Sequence, residues 1–300
     1  RPPRSTLFPY TTLFRSICAV AYHPVDFAIY RSLGHLSTSD HIILSVLPPA
    51  EVDNLTGDIC IRTSPLEEGY KTNAEDMQRL YAEISQKYSG MVARTGDDFD
   101  LKAADYISSD AYLLTARSTD NRMMAYCIYF VSDNKLLAEE VVFGSTGSLK
   151  AIAGHLVSQH TSIQAEFKLP ADTEIDQITR IFGNALYTKT EHNASGVTDL
   201  EFFLRALELR RDLSERLISD FIVEVSDEFN PLNNGRFDLS GRRSHGTPSV
   251  KVDAGSFVRF LFGYISATDM TEAENENVRA VAAKIDQALG RPVCRMIDEY

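Results

Sequence analysis

Three groupings of side chains in this sequence could do chemistry. His23 and His35 flank Tyr30 and could line one site with it. In mid-chain, Gly144-Ser-Thr-Gly147 stands directly ahead of an apolar pattern of helical period. Backbone N–H groups at such a helix start can hold an anion. At the end stand Asp298, Glu299 and Tyr300, two side-chain carboxylates and the terminal one, which could supply acidity for a cationic ligand. Each grouping also has a plain structural reading. A histidine in a turn is ordinarily solvated, and Tyr30 lies among Phe27, Ile29 and Leu33, where a half-buried structural tyrosine is common. The glycine turn has the wrong order for a phosphate loop and serves equally as a capped helix start, and the acidic end can be merely solvated. The patterns GxSxG, GxxxxGK[ST], HExxH and paired CxxC are all missing.

Composition narrows the partners. The net charge is -12, with 42 acidic against 30 basic side chains. An acidic surface repels phosphate backbones, which argues against nucleic acid and suits a cationic ligand such as an amine. Cys18, Cys60, Cys127 and Cys294 are far apart in sequence and read as free thiols of a reducing cytosol, so a cytoplasmic protein is expected. No apolar run reaches the ~18 residues of a membrane helix, so no membrane partner is expected. Residues Arg1–Ser16 read RPPRSTLFPYTTLFRS, the uninterrupted translation of a short-read sequencing adapter. We therefore exclude them from fold reasoning and expect a natural chain from Ile17, with its beginning missing. Without their three arginines the net charge goes from -12 to about -15.

The elements that would position these groups fall into three stretches. Residues 17–47 hold two apolar strand-like runs, Ile17–Tyr22 and His41–Leu47, around one or two helical turns that Gly34 stops. Too small to close a core, they read as the tail of a domain. Residues 48–65, opening on Pro48-Pro49, read as a linker. Residues 66–170 carry a helix capped at Asn73, with Met77, Leu80, Tyr81 and Ile84 on one face. An antiparallel meander with turns at Asp120-Asn121 and Asp133-Asn134 follows, then a helix from about Ser148 to Gln159 and a strand from Ser162. Residues 171–300 open with a variable stretch and an amphipathic helix over Asp199–Arg216. Alternating strands at Phe221, Gly235 and Ser249 follow, then helices over Gly255–Tyr264 and Glu272–Leu289, and a last strand from Pro292.

Helix, antiparallel meander, glycine-containing turn, helix and strand is the order of a GNAT (GCN5-related N-acetyltransferase) core. Val223-Glu-Val-Ser-Asp-Glu-Phe-Asn-Pro-Leu-Asn-Asn-Gly-Arg-Phe-Asp-Leu resembles the sterol-carrier-like C-terminal domain of the enhanced-intracellular-survival (Eis-like) acetyltransferases. So do Phe257-Val-Arg-Phe-Leu-Phe-Gly-Tyr-Ile-Ser and the terminal Pro292-Val-Cys-Arg-Met-Ile-Asp-Glu-Tyr. Ala21-Tyr-His-Pro-Val-Asp-Phe-Ala-Ile-Tyr-Arg-Ser-Leu-Gly resembles the end of that family's catalytic domain. The resemblance implies an α+β chain with a mixed GNAT-like sheet, flanking helices and a sterol-carrier-like C-terminal domain. Residues 17–47 would be the remnant of the catalytic domain, 66–170 a degenerate GNAT-like domain without cofactor, and 171–300 the sterol-carrier-like domain. The Gly144–Gly147 turn departs from the family by lacking the basic or glutamine residue that precedes the glycines.

Acyl transfer from a thioester requires the amine to lose a proton and the leaving thiolate to gain one. The resemblance implies a tyrosine as acid and the terminal carboxylate as base, which by position are Tyr30 and Tyr300. His23, Asp298 and Glu299 would face the acceptor. Acetyl-CoA would be the co-substrate, with its binding loop ahead of Ile17, so the chain alone is expected to be inactive. The acceptor would be a small-molecule or peptide amine, aminoglycoside or lysine-type. The protein would be a homo-oligomer, in this family often a hexamer. Two rival readings are an apolar-ligand carrier, suggested by the helix Phe257–Tyr264, and a non-catalytic scaffold.

Overall fold

The computed structural model describes residues 19–50, 52, 59–88, 91–132, 134–207, 213–272 and 274–290. They divide into two compact units, residues 19–39 with 192–290, and Asp40–Glu191. The expected last strand from Pro292 lies outside the described residues, as do Arg1–Ser16, Cys18 and Cys294.

The first unit opens with β1 (Ala19–Tyr22), α1 (Phe27–Arg31) and the first residues of β2 (Leu36–Val46). The second unit holds the rest of β2, then β3 (Ile59–Pro65), α2 (Leu66–Ser85), α3 (Gly96–Ile107) and the meander β4 (Tyr112–Ser118), β5 (Met123–Val131) and β6 (Lys135–Phe143). It continues with α4 (Thr146–Gln159), β7 (Gln164–Pro170), the short α5 (Ile175–Thr179) and the start of β8 (Ala185–Val197). Its strand order is β2-β7-β6-β5-β4-β3, antiparallel except for the parallel pair β6-β7. Alternation along β5 explains the two-sided packing. Ala125, Cys127 and Tyr129 meet Leu149, Ile152 and Leu156 of α4 on one face. Tyr126 and Ile128, joined by Met123 beyond a register shift, meet Met77, Leu80 and Tyr81 of α2 and Phe99 of α3 on the other.

Several expectations are corrected here. Ile59–Pro65, read as linker, is a strand because its backbone pairs with β4 throughout its length. Helix α2 starts at Leu66, not after Asn73. Asn73 lies inside it, its amide donating to the Gly69 carbonyl (2.7 Å) and its oxygen accepting from Arg117 (2.7 Å). Helix α3 was not expected, although Thr95 and Asp98 form a reciprocal capping box at its start and Phe99 and Ala103 are its buried face. The variable stretch after residue 171 contains the long strand β8.

The first unit resumes with the end of β8, α6 (Leu200–Leu207), α7 (Glu215–Asp220), β9 (Val223–Ser226), β10 (Gly235–Phe237) and β11 (Val250–Asp253). It ends with α8 (Ala254–Leu261), α9 (Ala267–Met270) and α10 (Glu276–Leu289). The single helix expected over Asp199–Arg216 is two, since Ser214 caps a separate start for α7. A three-stranded sheet, β10-β9-β11, buries Val223, Val225, Phe237 and Val250 under Phe257 and Phe260 of α8 and Ile285 of α10. The apolar residues of α8 that suggested a ligand carrier are thus used in this core. No helix among the described residues is long and apolar enough to cross a membrane.

The second unit carries a buried ion cluster. Arg94 grips Glu140 through two hydrogen bonds of 2.9 Å each, and Lys102 (3.0 Å) and the Tyr126 hydroxyl (2.7 Å) complete the shell. Burial alone would raise the Glu140 carboxyl pKa, but the Arg94 and Lys102 charges and the hydrogen bonds from Arg94 and Tyr126 outweigh it and bring it to about 2. A folded-state pKa below the unfolded value gives stability that is present above about 4.5 and drains away as pH falls toward 2. Glu140→Ala leaves Arg94 buried without its bidentate carboxylate, at an expected cost of about 3–5 kcal/mol. Urea unfolding of this unit at pH 7 checks it, and a variant within 1 kcal/mol of wild type, on the order of a surface substitution, contradicts it.

Candidate active site

The expected site residues near the start of the chain depend on one turn. Asp26 caps α1 by accepting from the Ala28 amide (2.7 Å). After Arg31 the chain reverses through Gly34, whose φ of +81° lies in the left-handed region where a Cβ is strained. The Tyr30 carbonyl accepts from both the Leu33 amide (3.0 Å) and the His35 amide (3.1 Å). Tyr30 and His35 are therefore fixed to one another through the backbone.

Tyr30 is half-buried. Its ring lies 4.7 Å, centroid to centroid, from that of Tyr22 at the end of β1. The Tyr22 hydroxyl hydrogen-bonds His35 Nδ1, and those rings are 5.6 Å apart. Burial, with a smaller effect of Tyr30, pushes the Tyr22 phenol up to about 12. Burial lowers the His35 pKa, opposed by the Asp227 carboxylate. His23 is exposed, its Nδ1–H donating to the His192 carbonyl (2.7 Å) and its ring 4.9 Å from that of His192. The structure thus brings Tyr30 to Tyr22 and His35 and takes His23 to β8. Asp298, Glu299 and Tyr300 lie outside the described residues.

Sequence reasoning missed Tyr22, His192 and Asp227. Tyr22 is the last residue of an apolar run and reads as strand, while Asp227 reaches the site only through the fold. Its carboxylate accepts from the Phe229 amide (2.9 Å), the Asn230 amide (2.8 Å) and the Asn233 side chain (2.8 Å). Asn233 is itself buried and tied to the Leu200 amide (2.9 Å) and the Val197 carbonyl (3.1 Å).

The Gly144–Gly147 turn of the second unit fits an acyl-CoA pyrophosphate poorly. Gly144 donates its amide to the Met124 carbonyl (3.0 Å), and Ser145 and Ser148 cap each other's amides (3.2 Å each). Thr146 spends its hydroxyl on the Glu174 carboxylate (2.7 Å), so a negative charge stands at the start of α4, where a phosphate would have to go. Among the described residues no group of three or more His, Cys, Asp or Glu could hold a metal ion.

Comparisons with known proteins agree with this architecture. Residues 202–295 match the family model of a sterol carrier protein domain. The chain is similar in structure to a probable N-acyltransferase from Enterococcus faecalis V583, with TM-score 0.72 and 15% identity over 97% of this chain and 74% of that one. It is also similar to Eis1 from Mycobacterium abscessus (TM-score 0.61, 19% identity, 94% and 75%). A third is a GCN5-related N-acetyltransferase from Anabaena variabilis (TM-score 0.66, 12% identity, 99% and 76%). No curated protein matches the sequence. At these identities the likeness is one of fold. The chain is an α+β protein with a GNAT-like mixed sheet, flanking helices and a sterol-carrier-like C-terminal domain.

The Gly34 turn can be tested directly. A Cβ at Gly34 would stand 2.7 Å from the Phe229 ring as well as forcing φ +81° on an L side chain. Gly34→Ala is expected to cost about 1–2 kcal/mol. Thermal or urea unfolding reads this, and a neutral or stabilising result overturns the turn's role.

Proposed function

We propose that this chain is part of an acyl-CoA-dependent N-acyltransferase that acts on an amine. The observation that carries the reading is Tyr30, half-buried at the end of a capped turn and packed on a phenol that keeps its proton up to about 12. The GNAT-like fold supports acyl transfer to an amine as the reaction class. Tyr30 would hold the proton for the leaving thiolate. A phenol, ordinarily titrating near ~10, suits that task, because it stays protonated at neutral pH yet can give its proton to a basic sulfur. The carboxylate of Tyr300 would take the proton from the ammonium of the acceptor. His23, Asp298 and Glu299 would face that acceptor, an aminoglycoside or a lysine-type amine, and the chain's acidity favours a cation there. Bound acetyl-CoA would supply the thioester.

Residues 17–47 would be the end of the catalytic domain. The second unit, with Glu174 at the start of α4, would take no acyl-CoA. The protein would be a cytoplasmic homo-oligomer such as a hexamer, and the free thiols Cys60 and Cys127 suit a reducing compartment.

Two measurements test this. Residues 17–300 mixed with acetyl-CoA and an amine are expected to release no CoA thiol above background, and turnover would overturn that expectation. In a protein extended by its upstream gene sequence, Tyr30→Phe is expected to lower kcat by roughly 10²–10⁴-fold. Residues appended after Tyr300 should lower kcat as well, and an unchanged kcat removes the terminal carboxylate from the mechanism.

A further inference from the structure

The first unit contains a polar chain that the reading above leaves unused. Tyr22 ends β1, where it pairs with Ala194 of β8, and its hydroxyl reaches His35 Nδ1. The direction of that bond follows from the surroundings. Imidazole Nε2 lies against Gly196, so close that a Cβ there would stand 2.4 Å from it. Gly196, His35 and Asp227 line one small cavity of about 60 Å³, room enough for ordered water. The Asp227 carboxylate of that cavity acts on the imidazole, and with Nδ1 meeting Tyr22 it favours the N–H on the other nitrogen, Nε2. Nδ1 is then the acceptor, and the phenol of Tyr22 is the donor.

We propose that Tyr22 and His35 are a positioning pair for Tyr30, with Asp227 selecting the His35 tautomer; this rests on the reading of Tyr30 as the acid. The Tyr22 proton is committed to His35, so the Tyr22 ring is held in place and braces Tyr30 from one side. The Tyr30 hydroxyl is left to the substrate. The His35 amide on the Tyr30 carbonyl closes the loop, so ring and backbone are fixed by the same histidine. Among the described residues, Tyr22 and Asp227 are the titratable groups that reach the imidazole. Beside the cavity, β8 and α8 present only uncharged side chains, Val197, Ala254 and Val258, and the glycines 196 and 255.

The pair has a definite pH dependence. A protonated Nδ1 cannot accept, so protonation of His35 releases the Tyr22 hydroxyl. Burial lowers the His35 pKa, so the pair is intact at pH 7 and lost only below the ordinary histidine value of 6.5. The folded state resists that proton while the unfolded chain takes it, so stability also declines as pH falls below 6.5.

The test uses the chain itself, labelled with ¹⁵N histidine and ¹³Cζ tyrosine, and needs no acyl donor. At pH 7 the His35 resonances are expected to report an unprotonated Nδ1 and a protonated Nε2, with a titration midpoint below 6.5 that rises in Tyr22→Phe. Tyr22→Phe and His35→Phe should both shift the Tyr30 Cζ resonance, and His35→Gln, which keeps an acceptor, should restore it in part. Gly196→Ala should give the same shift by displacing the imidazole, with neither partner altered. A His35 protonated at Nδ1 at neutral pH overturns the proposal. So does a Tyr30 resonance unmoved in both phenylalanine variants. If His35→Phe does not fold, the wild-type tautomer and Tyr22→Phe decide. A Tyr30→Phe enzyme with full acyl transfer would defeat the acid assignment and leave these signals as they are, so the two failures are distinguishable.

Discussion

Two amide hydrogen bonds to one carbonyl hold the candidate site together. The Tyr30 oxygen accepts from Leu33 and from His35, which is possible only because Gly34 takes a left-handed conformation between them. That reversal aims His35 back toward β1, where it finds Tyr22, and brings Gly34 against Phe229 of the loop that holds Asp227. Any side chain at Gly34 would oppose both. The loop on the other side is equally constrained, since Asp227 gathers three donors and Asn233 ties the same loop to α6 and β8. The aromatic cluster therefore rests on backbone geometry from two directions and needs little apolar burial of its own.

Charge placement separates the two units chemically. In the second unit the start of α4 has the shape of an anion site, but its Ser145 and Ser148 amides are capped by each other's hydroxyls and Glu174 adds a negative charge. The shared sheet-and-helix plan does not carry the chemistry with it, because a phosphate site needs free N–H groups as well as a helix end. The polar investment of this unit is elsewhere, in the buried Glu140, Arg94, Lys102 and Tyr126 cluster. Arg94 also lies over the Tyr81 ring (4.2 Å) and the Phe99 ring (5.1 Å), so its charge is spread over paired, stacked and hydrogen-bonded partners that fix α2 and α3 to the sheet.

Much of the fold was legible because its signals are local. Asp26 and Gly34 bracket α1 as cap and stop. Asp120-Asn121 marks the β4–β5 turn, with Asn121 at positive φ, and the alternating runs at Val223 and Val250 are strands. The misses share a physical cause. The end of β8 is buried yet polar, His192, Asn193 and Ser195, with Ser195 bonded to Thr38 of β2 (2.6 Å), so hydrophobic periodicity is silent there. Asn73 looks like a cap because caps and helix-interior amides use the same side-chain chemistry, and only the Gly69 carbonyl tells them apart. At the site, Tyr30 is singled out by the resemblance alone. Tyr22 and His35 were not paired in advance because their hydrogen bond depends on the turn closing first.

The electrostatics of the cluster bear on what a tyrosine here can do. Tyr22 is held protonated by burial, and His35 is held neutral by burial against the pull of Asp227. Both partners of Tyr30 are therefore uncharged at neutral pH. A phenol among such neighbours is a proton holder. It releases its proton only to a group that becomes strongly basic during the reaction, as a departing thiolate does. Neutral partners are thus compatible with the acid role proposed for Tyr30.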